Sequence, residues 1–131
     1  MVRPLALLIF VSGCATEGAV PLDADTVRTE DGLYDLLLEP DPDPPATGPA
    51  SLRVSATLAG TEDPVLDATL EVEPWMPAHG HGVMGELSVE PLGESVWSAE
   101  WTWPMPGYWE VTLTVDTPEG SDQAVVAWEV Q

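Results

Sequence analysis

The two histidines of the chain fall in one short stretch, PWMPAHGHGVMG (Pro74–Gly85), which places Met76, His79, His81 and Met84 within nine residues. Imidazole nitrogen suits copper, zinc and nickel, and thioether sulfur selects soft Cu(I). In an extended segment His79 and His81 point to the same side with Cα atoms about 7 Å apart, so their ring nitrogens can converge on one ion. Gly80, Gly82 and Gly85 widen the backbone choices around them. Met105, in the break Trp103-Pro104-Met105-Pro106, is a further candidate if a neighbouring loop brings it close. The expected metal set is therefore Met76, His79, His81 and Met105, with Met84 ranked behind them. Two histidines fall short of the three or four protein ligands usual for zinc, whereas Cu(I) accepts fewer. The plainer alternative is that Met76 packs on the core and the histidines cap turns through hydrogen bonds.

Other chemistries find less support. There is no Gly-x-Ser-x-Gly nucleophile and no glycine-rich phosphate loop. Carboxylate pairs such as Glu71/Glu73 and Glu86/Glu90 identify nothing in a chain with 23 acidic residues, because a solvated face explains them. The expectation is a binding or accessory module and not an enzyme. A net charge of −20, with three arginines and no lysine, cannot form a positive nucleic-acid face. The same charge raises the local concentration of cations and keeps the protein soluble.

The chain opens MVRPLALLIFVSGCATEG. Arg3 precedes a short apolar run, Leu5 to Val11, far below the ~20 residues that span a bilayer as a helix. This reads as a signal peptide covering residues 1–13. Val11-Ser12-Gly13-Cys14 resembles a bacterial lipobox, which implies a lipid on Cys14, the single cysteine. Cleavage by an ordinary signal peptidase, leaving Cys14 a free thiol, is the alternative. A lipid anchor places the domain in the bacterial cell envelope, facing the periplasm or exterior. Ala15 in place of an aspartate after Cys14 favours the outer membrane. Residues 14–29, polar and small, are expected to be a flexible tether.

The elements that must position the histidine stretch are strands. From residue 30 to 131, short apolar runs recur with turn signals between them, which indicates one all-β domain, an antiparallel immunoglobulin-like sandwich of about seven strands. The expected strands are Gly32–Leu38, Ser51–Leu58, Val65–Val72, Val83–Val89, Val96–Trp103, Tyr108–Val115 and Ala124–Val130. In the second, Leu52, Val54, Ala56 and Leu58 share a face with period two. In the fifth, Trp97, Ala99, Trp101 and Trp103 do. The prolines of EPDPDPPATGP should exclude a central strand there. The histidine stretch is then a loop between the third and fourth strands. The in-phase tryptophans are read as core rather than as a sugar-stacking platform, with Trp75 and Trp103 the expected exceptions.

Two motifs carry a family resemblance. Met76-Pro77-Ala78-His79-Gly80-His81, followed by Met105-Pro106-Gly107-Tyr108-Trp109 opening a strand, resembles the YtkA-like domain and its FixH-like relatives. The resemblance covers roughly residues 30–131. It implies a small immunoglobulin-like sandwich, secreted or membrane-tethered, and a link to copper supply through the FixH-like members. By position His81 matches the family histidine, and Met76 and Met105 match the two Met-Pro methionines. His79 stands where methionine is common, which makes this set harder and more tolerant of Cu(II) or zinc. A metal-free structural or protein-interaction sandwich is the alternative function.

Overall fold

Alternation of apolar and polar residues builds the two sheets. The computed structural model describes residues 20–21 and 26–131. Cys14, the expected signal peptide 1–13 and most of the expected tether 14–29 lie outside the described residues. The elements are β1 (Val20–Pro21), β2 (Thr26–Arg28), β3 (Tyr34–Asp41), β4 (Gly48–Leu58), β5 (Thr69–Met76), β6 (His81–Gly82), β7 (Ser88–Gly93), β8 (Val96–Trp103), β9 (Gly107–Thr117) and β10 (Gly120–Val130). One sheet has the order β1-β10-β9-β5-β6 and the other β2-β3-β4-β8-β7. All neighbours are antiparallel except β1, which runs parallel to β10. This is the β-sandwich expected from the strand spacing.

The inner faces supply the core. Leu52, Val54 and Ala56 of β4 meet Trp97, Ala99, Trp101 and Trp103 of β8 on one sheet; Trp109, Val111, Leu113 and Val115 of β9 flank Ala124, Val126, Trp128 and Val130 of β10 on the other. Five of the six tryptophans are buried. Trp101 and Trp103 pack edge to face at 5.2 Å between ring centres, and Trp103 reaches Trp109 at 5.1 Å and Trp128 at 5.8 Å across the sheets. The Nε1 atoms of Trp101 and Trp128 have no hydrogen-bond partner among the described residues. Ring packing, not indole hydrogen bonding, therefore holds these two side chains.

Several sequence expectations need correction. Trp103 is only 2% exposed, because its ring packs against Trp101 on its own strand and against Trp109 and Trp128 of the facing sheet. Leu58, expected inward, is 40% exposed because β4 ends there, at the mouth of a cleft. Thr26–Arg28, expected within the tether, form an edge strand on β3 with Val27 buried, so the sandwich begins before residue 30. The third strand starts at Thr69, not Val65, and runs on to Met76. The fourth is shifted to Ser88–Gly93 and lies on the outer edge of its sheet.

The prolines are accommodated by position. Pro40 in β3, Pro49 in β4 and Pro74 in β5 each stand where the strand is paired on one side only. A missing N–H is harmless on an unpaired side. At Pro74 the geometry is explicit. Its carbonyl oxygen lies 3.2 Å from where a Cβ on Gly82 would sit, so its backbone polar edge faces away from β9. Local composition thus set the loop boundaries too wide on both sides of residues 42–47 and at Pro74.

At the other end of the sandwich, the turn before β3 is tied to β10 by a carboxylate. Asp122, 5% exposed, accepts backbone N–H bonds from Asp31 (3.0 Å), Leu33 (3.2 Å) and Gln123 (2.9 Å). Burial pushes this carboxyl up, but the Thr29 hydroxyl and those N–H groups outweigh it and hold it below the ordinary range.

Candidate functional site

The alternation of β5 puts Leu70, Val72, Pro74 and Met76 on the inner face, and β5 then doubles back into β6. The turn is Pro77-Ala78-His79-Gly80. Proline presets the first turn dihedral, and Gly80 takes φ 66°, a left-handed conformation that costs other residues ~1–2 kcal/mol. The Gly80 N–H donates to the Met76 carbonyl at 2.8 Å and closes the turn. The histidine stretch is therefore the tip of a hairpin, not a loop between separate strands.

This hairpin brings three of the expected ligands together. His81 pairs with Met76 across the β5–β6 register. The rings of His79 and His81 lie 5.7 Å apart, nearly perpendicular. His81 is half-buried and packs edge-on against Trp109 of β9 at 5.8 Å. Its Nδ1 is 2.8 Å from the Gly82 carbonyl oxygen, which can only accept. In the neutral ring this fixes the proton on Nδ1 and leaves the Nε2 lone pair free. Met76, 3% exposed, stands directly opposite His81 in the β5–β6 register on the inner side of the hairpin.

The other two methionines are placed differently. Met105 lies in the β8–β9 turn, half-buried against the core, and its backbone carbonyl accepts the Trp109 indole N–H at 3.2 Å. That turn reaches the hairpin through Gly107, where an added Cβ would stand 2.7 Å from Met76 Cε. Met84 is 71% exposed and lies past β6, on the crossover to the second sheet, so it is not gathered with the hairpin.

Two participants were not singled out as site residues by the sequence. Trp109 walls the His81 ring, and Gly107 makes room for Met76. Their signal is the Met-Pro-Gly-x-Trp spacing, in which glycine and tryptophan matter as much as methionine. Beside the hairpin, on the outer face, Trp75 and Tyr108 are 42% and 43% exposed, and the Tyr108 hydroxyl donates to Glu110 at 3.1 Å.

The donor chemistry fits a soft ion better than a hard one. Among the described residues no three His, Cys, Asp or Glu side chains gather into a metal-binding group. What the hairpin offers is two imidazoles and a thioether. Two imidazoles bonded at ~2 Å to one ion have ring centres about 5–6 Å apart, and the observed separation lies in that range. A ligating histidine also ordinarily donates its second ring N–H to a carbonyl or carboxylate, as His81 does to Gly82.

The sequence model of the YtkA-like family matches residues 33–114, more than half of the chain and the span that holds both Met-Pro motifs. The chain belongs to the YtkA-like family. No curated protein matches it at a significant level. In three dimensions this YtkA-like domain is similar to a DUF4426 family protein of Pseudomonas aeruginosa, with a TM-score of 0.58 at 14% identity, covering 81% of this chain and 96% of that one. At that identity the likeness concerns the fold alone. No helix among the described residues is long and apolar enough to cross a membrane.

Proposed function

We propose that this YtkA-like domain is a lipid-anchored binding module outside the cytoplasm that takes up one copper ion at the β5–β6 hairpin, and that it is not an enzyme. His79 and His81 would hold the ion, with the thioether of Met76 as third donor and Met105 next in reach on the adjoining turn. Copper there would supply a bound, transferable soft cation. The residues of the chain do the rest. The Gly82 carbonyl orients His81, Trp109 limits the swing of its ring, and burial keeps Met76 among apolar side chains. The observation that carries the reading is the 5.7 Å separation of two imidazoles on a glycine-closed turn beside a buried methionine.

The anchoring part rests on the sequence around Cys14 and on nothing in the folded domain. A mature lipoprotein held by several acyl chains stays on the membrane, where a single chain binds only marginally. The Cys14→Ser variant is expected to move the protein from the membrane fraction to the soluble fraction of the envelope. An unchanged distribution would remove the anchor from the proposal.

The metal part is tested by Cu(I) titration against a competing chelator under anaerobic reducing conditions, with Zn(II) in parallel. Wild type is expected to bind one Cu(I). His79→Ala/His81→Ala is expected to lose at least tenfold in affinity, and Met76→Leu to lose Cu(I) preference over Zn(II). Equal uptake by the wild type and the double histidine variant would discard the hairpin as the site. A metal-free interaction module is the second reading, and the exposed Trp75 and Tyr108 favour it. No Cu(I) or Zn(II) binding by the wild type would decide for it.

A further inference from the structure

A cleft of about 410 Å³ opens at the end of the sandwich away from the histidine hairpin, where β4 and β9 finish and the chain crosses toward β5. The volume is within the ~300–1,000 Å³ usual for small-ligand sites. Its walls are apolar yet open to solvent. Leu58 and Leu66 both line it while 40% and 57% exposed, and Pro118 faces them. The buried Tyr34 closes the floor, with its hydroxyl already engaged by Thr117 and Gly120.

Three carboxylates share that lining, Asp63, Asp67 and Glu119, and no arginine does. Among the described residues the two arginines are placed elsewhere. Arg28 holds Asp35 at 2.8 Å, and Arg53 faces Glu39 at 3.9 Å. Both arginines are thus paired with carboxylates outside the cleft lining.

Apolar walls with three carboxylates and no basic residue in the lining are complementary to one ligand chemistry. We propose that this cleft binds a small organic cation with an apolar body, a site separate from the copper hairpin. The apolar part lies against Leu58, Leu66 and Pro118, and the ammonium or guanidinium head sits among Asp63, Asp67 and Glu119. A neutral ligand would leave the carboxylates unpaired, and an anionic one would be repelled.

The test uses three probes with the same hexyl body, hexyltrimethylammonium, hexanol and heptanoate, titrated into the 15N-labelled protein and followed by amide chemical shifts. Saturable one-to-one shifts confined to the cleft are expected with the cation. Hexanol should bind at least tenfold more weakly and heptanoate not at all. Raising the salt concentration should weaken the cation further. Leu66→Ser and Asp67→Asn change exposed side chains and are expected to keep the native amide spectrum while each costs at least fivefold in affinity. The His79→Ala/His81→Ala variant should bind the cation as wild type does, which separates this site from the metal reading. Hexanol binding as tightly as the cation would overturn the proposal. So would shifts spread over the whole acidic surface without saturation, or undiminished binding by both cleft variants.

Discussion

Replacing Gly107 by alanine tests how the two Met-Pro elements are joined. Gly107 opens β9, pairs with Val130 and has φ 133°, a conformation that side chains resist. An alanine there carries a backbone cost of ~1–3 kcal/mol. Its Cβ would also stand 2.7 Å from Met76 Cε. The methyl is the far end of a flexible chain, so it gives way by an off-rotamer shift costing ~0.5–1.5 kcal/mol. Together they come to ~1.5–4.5 kcal/mol, a large fraction of the ~5–15 kcal/mol of a small domain. The two contributions separate in a Met76→Leu background, where the side chain is a near match in volume but ends short of the contact. That change alone is expected to cost less than ~1.5 kcal/mol. In that background Gly107→Ala should keep its backbone cost and lose the contact, a coupling of ~0.5–1.5 kcal/mol. The assay is urea unfolding followed by the fluorescence of the buried tryptophans, with the slope checked for constancy across variants. If Gly107→Ala is silent in wild type, or loses its whole cost in the Met76→Leu background, the backbone argument fails.

Other perturbations follow from the same geometry. Trp103→Ala should cost ~3–5 kcal/mol as a fully buried ring and Trp75→Ala less than ~1 kcal/mol as a half-exposed one, both read from urea midpoints; similar costs would contradict the burial assignment. Asp122→Asn turns one acceptor into a donor facing backbone N–H groups and should destabilise by ~1–3 kcal/mol in thermal unfolding. Because the Asp122 carboxyl is held below its ordinary range in the folded state, its stabilisation is present above the ordinary carboxylate pKa and is lost as pH falls through the lowered folded value. Asp35 behaves in the same sense. Hydrogen bonds from Arg28 and then from the Gly60 N–H hold it at about 2. Its contribution is complete above about pH 4 and fades toward pH 2. In Arg28→Gln, NMR titration of the Asp35 carboxyl should show the pKa raised toward the ordinary value but short of it, because the Gly60 bond remains. An unchanged pKa would remove the role given to Arg28.

Period-two alternation was enough to place β8 at its observed limits and to assign the inward faces of β9 and β10, because an inner-face position in a sandwich has nowhere to go but the core. The same logic gave the tryptophan core, Trp103 included. Only the nearby Pro-Met-Pro break suggested an exposed Trp103, and that expectation fails because its ring packs against Trp101, Trp109 and Trp128. The residues of the hairpin could be named from type and spacing. Their arrangement could not, since Pro74, Trp75 and Met76 read as loop and are strand. Whether a proline fits depends on which side of its strand is unpaired, and that is set by the neighbouring strands.

Sequence alone determined the all-β class, the acidic surface and the identity of the five Met/His candidates, since these depend on composition and on local period. Tertiary structure decided which candidates meet. His81 faces Met76 because β6 folds back on β5, Trp109 backs the ring because β9 is the next strand over, and Met84 is excluded because the chain leaves for the other sheet one residue earlier. The acidic cleft is also a tertiary product. Leu58, the Leu66-Asp67 pair and Glu119 come from three separate segments, and no local pattern marks segments that become neighbours only when two sheets close on each other.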